Sequence, residues 1–240
     1  RSPSTSAVGP SAAAWTRHFC DRVATIPVFS IVGGKGGDGK TTTALGLARA
    51  LDGPVTVVDA DTDMPDLHLL AGVDREPTLA AVADGADPAA VARPWPGERS
   101  VSVLSAPVGP DAARDVAPAL SRLREADRPV LVDCPGGAGP DAATALRAAD
   151  GAVLVLTRRP AALRDAAKTA EMARAVGTAL VGAVLTRCRS VPDAAADLFG
   201  CPVLGTVPAV EPPVLPRSPV RRAYDRVAGS LVRRTACEDL

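Results

Sequence analysis

Aromatic side chains are scarce in this sequence of 240 residues, of which phenylalanine, tryptophan and tyrosine make up only 2%. A core must therefore be built from alanine, valine and leucine, and the hydrophobic fraction of 47% suffices for a single globular domain. No run of about 18 apolar residues occurs, so the sequence predicts no membrane-spanning helix.

Net charge and paired cysteines are lacking as well. The 27 basic and 27 acidic residues leave a formal net charge of zero, so nucleic acid or an anionic membrane would have to meet a local patch. The five cysteines are odd in number and scattered, without a C-x-x-C spacing. This usage is typical of a reducing cytoplasm and argues against a zinc or iron–sulfur site. We therefore expect a cytoplasmic protein.

The two ends of the chain are set apart from the rest. Residues 1–25 are rich in serine, alanine and proline and hold no long apolar stretch. They are interpreted as a flexible N-terminal extension, with a signal peptide as the alternative. The folded domain is expected to span residues 26–234, and residues 235–240 to form a C-terminal tail.

Between these ends, apolar runs of strand length alternate with helical patterns. This alternation predicts an α/β fold, a single domain with a mostly parallel, twisted sheet flanked by helices. The predicted strands cover residues 28–32, 55–58, 101–104, 130–132, 152–156, 179–185 and 203–207. The predicted helices cover residues 41–51, 111–126, 139–148, 160–176, 191–199 and 218–234.

Lysine is rare in this chain, with three residues (Lys35, Lys40 and Lys168) against 24 arginines. Two of the three lie in the glycine-rich segment 33–43. A composition that favours arginine this strongly would keep lysine where a compact ammonium on a flexible stem is needed. We therefore expect both lysines of that segment to be functional.

The segment from Gly34 to Thr41 fits the nucleotide-binding pattern G-x-x-x-x-G-K-[ST]. It joins a predicted strand to a predicted helix, as the pattern requires of a P-loop NTPase. Glycines let the backbone wrap around phosphates, and the N–H groups at the helix N-terminus attract them. Lys40 is expected to reach the β- and γ-phosphates and Thr41 to bind Mg²⁺; a glycine turn without a ligand is the alternative. The residues expected to hold the nucleotide are Gly34, Lys35, Gly36, Gly37, Gly39, Lys40, Thr41 and Thr42.

Acidic residues follow two of the predicted strands. Asp59 comes directly after strand 55–58, Asp61 follows two residues later on the same side of the chain, and Asp133 comes directly after strand 130–132. Ligands of an open parallel sheet bind at the carboxyl ends of its strands. Carboxylates beside a triphosphate need a cation between them, so these residues predict Mg²⁺ held directly or through water. For any one of them alone, a turn-forming or helix-capping role is the alternative.

The sequence at this point resembles a known family. Residues 35–42, K-G-G-D-G-K-T-T, resemble the deviant Walker A motif of the MinD/ParA ATPases, whose hallmark is the additional first lysine. Residues 59–61 resemble switch I of that family and residues 133–137 its switch II. Residues 182–187 and 205–208 match later strands of the same domain. The resemblance spans residues 27–234.

The resemblance implies a role for each matching residue. Lys40 and Thr41 would hold phosphate and Mg²⁺, and Asp59 and Asp133 would belong to the metal shell.

Catalysis in this family involves two more positions. Asp61 would orient or activate the attacking water, and Lys35 would reach across a dimer to the partner's nucleotide, as an arginine finger does in other NTPases. Lys35, Lys40 and Asp61 are thus the implied catalytic residues. ATP binding would assemble a sandwich homodimer, and hydrolysis would dissolve it.

Some positions depart from the family pattern. Asp38 occupies the free position of the loop, and an anion so close to the phosphates is expected to lower nucleotide affinity. Asp63 and Asp66 stand where relatives often carry Gly and Asn. Thr186 stands where many relatives place an adenine-reading Asn, which leaves the selectivity for adenine open.

The last predicted helix is both amphipathic and basic. A basic amphipathic helix can lie on an anionic membrane, as in MinD-like proteins, or follow DNA phosphates, as in ParA-like proteins. In the alternative, its apolar stripe closes the domain by packing on the sheet. The stripe consists of Val220, Ala223, Tyr224, Val227, Ala228, Leu231 and Val232, and the arginines are Arg217, Arg221, Arg222, Arg226, Arg233 and Arg234.

The resemblance implies a slow ATPase stimulated by an activating partner protein. The segment 59–72 favours a MinD-like protein, which would position the division site or surface machinery. Its expected location is the cytoplasm or the inner face of the membrane. The first alternative is a ParA-like ATPase of DNA or plasmid segregation. The second is a metabolic ATP-dependent ligase on the same fold, such as a dethiobiotin-synthetase-like enzyme.

Overall fold

The described residues of the computed structural model, 28–34, 36–125, 128–191 and 195–237, contain a sheet of eight strands. The strands are β1 (Val28–Gly33), β2 (Val55–Asp59), β3 (Arg93–Trp95), β4 (Glu98–Leu104), β5 (Val130–Asp133), β6 (Gly151–Thr157), β7 (Leu180–Thr186) and β8 (Val203–Val207). Their order is β3-β4-β2-β5-β1-β6-β7-β8. All pairs are parallel except β3 with β4. The predicted fold, a single α/β domain around a mostly parallel sheet, is confirmed.

Helices cover both faces of the sheet. They are α1 (Lys40–Ala50), α2 (Leu67–Ala71), α3 (Leu79–Ala83), α4 (Pro88–Val91), α5 (Ala112–Leu123), α6 (Pro140–Arg147), α7 (Pro160–Ala175), α8 (Ala195–Phe199) and α9 (Ser218–Cys237). One hydrophobic core lies between the sheet and α1, α2 and α9, and a second lies between the sheet and α3 to α8. Because both faces are covered, the central strands β1, β2, β5 and β6 are buried along their whole length.

The predicted strands are all present, with ends that differ by at most three residues. Strand β3 was missed because it is short and contains Pro94, which argues against a ladder position. The helix predicted at 111–126 already ends at Leu123, and residues 126 and 127 lie outside the described residues. The helix predicted at 191–199 is described from Ala195, while residues 192–194 are not described.

Helix α9 is held in the core by its apolar stripe. Val220, Tyr224, Val227 and Leu231 are each at most 1% exposed. The stripe therefore closes the domain, as the packing alternative predicts, and it is not free to lie on a membrane in this arrangement. The helix continues through residues 235–237, which the sequence analysis assigns to a tail. The N-terminal extension predicted at residues 1–25 lies outside the described residues.

In the part of the chain that the structure describes, no helix has the combination of length and hydropathy that a membrane span needs.

Candidate functional site

The glycine-rich loop connects β1 to α1 at the carboxyl edge of the sheet. Gly37 and Gly39 both have φ of 92°, a backbone conformation that L side chains rarely adopt. Around Gly36 and Gly37 there is open space where a Cβ would lie. The loop is thus shaped to let a ligand approach its backbone, as the motif predicts. Lys35, the additional lysine of the motif, lies outside the described residues.

Lys40 is the first residue of α1, and its side chain is buried in the site. A Cβ at Gly136 would lie 3.5 Å from the Lys40 Nζ and 3.3 Å from the carbonyl oxygen of Gly34. The N–H of Gly137 donates to the carbonyl oxygens of Gly33 and Gly34, at 3.2 and 2.9 Å. The segment after β5 therefore lies against the loop and the ammonium. Lys40 has no ion-pair partner within 4.0 Å among the described residues, which leaves its charge free for an anionic ligand.

Asp59 and Asp133 are paired neighbours on the adjacent strands β2 and β5. Asp59 is fully buried, and its carboxylate accepts hydrogen bonds from the backbone N–H groups of Asp61 and Leu67, at 3.0 and 3.2 Å. It thereby ties down the loop between β2 and α2. Burial raises the pKa of Asp59 to about 7.

Asp133 has an unsatisfied oxygen. The residue is 2% exposed, and its Oδ1 has no hydrogen-bond partner among the described residues. Burial, and secondly the neighbouring Asp59, raise the pKa of Asp133 well above its usual value. A buried carboxylate oxygen without a partner is costly unless a ligand or ion completes it.

The remaining polar residues converge from the loop after β2. The Thr41 hydroxyl donates to the Asp66 carboxylate at 3.1 Å, and the Asp61 carboxylate accepts from the backbone N–H of Met64 at 3.0 Å. Asp66 is a site residue that the sequence analysis noted only as a departure from the family pattern. The sequence gave no signal for this role, because the contact joins residues 25 positions apart and depends on how the loop folds back onto α1.

One cavity of about 770 Å³ brings most of the predicted residues together. Its lining includes the predicted residues Gly36, Gly37, Gly39, Lys40, Thr41, Thr42, Asp61 and Asp133, together with Met64, Asp66, Leu69, Leu70, Cys134 and Arg187. Gly34 and Asp59 are described but do not line it. Asp59 instead lies behind the site as a buried support for the loop after β2.

Asp38 does not point into this cavity. Its carboxylate is 2% exposed, accepts a hydrogen bond from the Thr157 hydroxyl at 2.9 Å, and lies 3.9 Å from Arg159 Nη2. The carboxylate is thus turned away from the cavity and held behind the loop, and the effect of Asp38 on nucleotide affinity stays a prediction. It fastens the loop to the end of β6.

Thr186 also supports the loop. Its hydroxyl donates to the backbone carbonyl of Asp38 at 2.7 Å, and it lies 3.3 Å from that of Leu156. Next to it is a second cavity of about 130 Å³, bounded by the ends of β7 and β8 and by Tyr224. The two cavities share Gly39, Thr42 and Arg187 in their linings.

The donors in the larger cavity suit a hard divalent cation that arrives with a phosphate ligand. Thr41, Asp66 and Asp133 offer oxygen atoms, and Mg²⁺ is usually held by one or two carboxylates, several waters and substrate phosphates. No group of three or more His, Cys, Asp or Glu residues that could hold a metal occurs in the described ranges. The unpartnered Asp133 oxygen could bind such an ion. The described residues do not offer enough side-chain ligands to hold a metal without the phosphate and water.

Comparison with known proteins gives consistent matches along most of the chain. A family profile described as the CobQ/CobB/MinD/ParA nucleotide binding domain matches residues 29–212. An uncharacterized ATP-binding protein of Methanocaldococcus jannaschii is 29% identical over 233 residues, covering 85% of this chain and 86% of that protein. The septum site-determining protein MinD of Synechocystis is 25% identical over 201 residues, which is 75% of each chain.

Solved structures resemble the fold over similar lengths. The cell division ATPase MinD of Pyrococcus furiosus has a TM-score of 0.75 and 29% sequence identity, covering 86% of this chain and 98% of that one. The septum site-determining protein MinD of Pyrococcus horikoshii, in complex with Mg-ADP, has a TM-score of 0.73 and 29% identity, covering 85% and 94%.

Proposed function

This chain belongs to the MinD/ParA family of P-loop ATPases, and from that premise we propose that it binds ATP with Mg²⁺ and hydrolyses it as a dimerising switch. The observation that carries the proposal is that one cavity is lined by both the buried Lys40 and Asp133, whose Oδ1 has no partner among the described residues. The first supplies positive charge for phosphates, and the second suits the cation that accompanies them.

Each part of the site has a task in this proposal. The backbone N–H groups of the loop and the Lys40 ammonium hold the β- and γ-phosphates. Thr41 and Asp133 hold Mg²⁺, with Asp66 beside them. When bound, Mg²⁺ neutralises charge that develops on the phosphate oxygens.

Hydrolysis is assigned to Asp61 and Lys35. Asp61 lines the cavity and orients or activates the attacking water. The assignment of Lys35 to the partner subunit's nucleotide rests on its place in the sequence motif. Turnover in this proposal is slow until an activating partner protein binds.

Exposed apolar side chains at the rim support a protein contact there. Met64 is 77% exposed, Leu69 71% and Leu70 46%, and all three line the cavity that holds Lys40. Apolar groups clustered beside a ligand site favour an interface that forms over it. We assign this surface to the second copy of the chain in the ATP-bound dimer.

The cellular task proposed is that of MinD, the placement of a division site or surface machinery from the cytoplasm, with peripheral attachment to the membrane. It is supported by the MinD proteins among the relatives. The outward side of α9, where Arg222 and Arg226 are exposed, would contact the anionic membrane surface. The same arginines favour, as the second candidate, ParA-like contact with DNA phosphates.

Equilibrium titration with labelled ATP tests the nucleotide proposal. Lys40→Ala is expected to weaken ATP binding at least about tenfold, because a charged hydrogen bond contributes about 1.5–3 kcal/mol. The matched control is Lys168→Ala, a surface lysine with a side chain 70% exposed, which should bind as the wild type does. Equal affinity in both variants would refute the proposal.

Dimerisation on ATP binding, and the choice between membrane and DNA, need separate measurements. Turnover per subunit should rise with protein concentration, and Lys35→Ala should bind ATP without hydrolysing it. Turnover that is independent of concentration, with full activity in Lys35→Ala, would favour the metabolic ligase. Co-pelleting with anionic liposomes and a parallel DNA mobility-shift assay, each with ATP and with ADP, distinguish membrane binding from DNA binding.

A further inference from the structure

Arg187 has an unusual backbone for its residue type. Its φ is +54°, and among the described residues it is the one non-glycine with a positive φ. Arginine is unfavourable in this left-handed region, where glycine or asparagine is usual. Backbone strain of this kind persists where the surroundings enforce it, and it is concentrated at ligand sites.

The residues on either side explain how the strain is maintained. The Thr186 hydroxyl is bound to the carbonyl oxygen of Asp38, and the N–H of Cys188 donates to the carbonyl oxygen of Val207 at 3.1 Å. The chain is thereby fixed to the phosphate loop before Arg187 and to β8 after it. These bonds hold the arginine in one place at the end of β7.

That place is the junction of the two cavities. Arg187 lines the cavity of about 770 Å³ with Lys40 and Thr41, and it also lines the cavity of about 130 Å³ beside Tyr224. The smaller cavity is lined largely by apolar side chains from residues 207–214, which suit the ring portion of a ligand. A ligand with its phosphates in the first and a ring in the second must therefore pass Arg187.

The guanidinium of Arg187 is unpaired among the described residues. Its side chain is exposed, and no ion pair within 4.0 Å involves it in the described part of the chain. Its neighbours are of the same sign, because Arg158 and Arg189 line a third cavity together with it. A guanidinium in such surroundings is available to bind a phosphate.

We propose that Arg187 binds the nucleotide at the phosphate next to the sugar, where the ring portion and the phosphate chain join. The inference rests on the proposed function, since it assumes that ATP occupies the two cavities. Lys40 holds the distal phosphates, so the two cations divide the phosphate chain between them.

The test compares ATP and ADP affinities of Arg187→Ala and Arg187→Gly with those of Arg189→Ala, a neighbouring arginine that does not line either nucleotide cavity. Both Arg187 variants should bind ATP and ADP more weakly by the same factor, about tenfold. Arg189→Ala should bind both nucleotides as the wild type does. Arg187→Lys should recover part of the affinity.

Thermal unfolding separates this role from a structural one. Arg187→Gly should unfold at a higher temperature than Arg187→Ala, because glycine accepts the left-handed backbone, yet it should bind nucleotide no better. Affinities of Arg187→Ala within twofold of wild type would overturn the inference alone, and so would a loss for ATP without a loss for ADP. A wild-type protein that binds neither nucleotide would overturn the proposed function as well.

Discussion

Gly46 of α1 lies directly against the ring of Tyr224 on α9, so closely that a Cβ at Gly46 would overlap the ring carbons. The Tyr224 hydroxyl lies 3.1 Å from the hydroxyl of Thr43, one turn closer to the phosphate loop. Both contacts are buried. The final helix of the chain is thus fixed to the helix that begins at Lys40.

Gly46→Ala should destabilise the protein by about 1–3 kcal/mol, the usual cost of overpacking a core, although alanine favours helices. Urea unfolding monitored by circular dichroism gives the change. The control is Gly229→Ala, also within a helix, where a Cβ would meet only the flexible end of Arg233 at 3.4 Å. That variant should gain up to about 1 kcal/mol. Equal effects in the two variants would contradict the packing argument.

Asp38 should help nucleotide binding through the loop it holds. Asp38→Ala removes the acceptor of the Thr157 hydroxyl, and we expect a lower unfolding temperature and ATP affinity reduced several-fold. Asp38→Asn retains a carbonyl oxygen for that bond but loses the charge, and should lie nearer to wild type. If Asp38→Asn instead binds ATP more tightly than wild type, repulsion between the carboxylate and the phosphates is the larger effect.

The strands and the phosphate loop were predictable because their signals are local. Runs such as residues 152–156 are apolar at every position, and the loop motif needs only eight consecutive residues. The short helices α2 to α4 were not predicted, because four or five residues give too little periodicity to distinguish a helical turn from a loop.

The direction of polar side chains was the part that sequence could not provide. Asp38 follows a glycine in the loop, and only the position of Thr157, 119 residues later, turns its carboxylate inward. The contact between Thr41 and Asp66 likewise depends on a long-range approach. Arg187 gave no signal, because its left-handed backbone results from bonds that its neighbours make to distant parts of the chain.

Asp133→Asn should separate Mg²⁺ binding from nucleotide binding. In the presence of EDTA, the variant and the wild type should bind ATP about equally, since the Asp133 oxygen is assigned to the cation. Added Mg²⁺ should strengthen ATP binding in the wild type and much less in the variant. Asp61→Asn is the control and should retain the response to Mg²⁺ while losing turnover. An unchanged response in Asp133→Asn would remove Asp133 from the metal site.

The single tyrosine of the chain makes the α1–α9 contact directly observable by ultraviolet absorbance. Burial raises the pKa of Tyr224 from its ordinary value of 10 to about 12. The folded state therefore retains this proton more tightly, and the stability it contributes is complete below pH 10 and is lost as the pH rises from 10 to 12. Tyrosinate should form near pH 12 in the native protein and near pH 10 in urea. In Gly46→Ala the native value should fall towards 10, because the displaced ring meets water. A native wild-type titration near pH 10 would show that the contact between α9 and the phosphate-loop helix is open in solution.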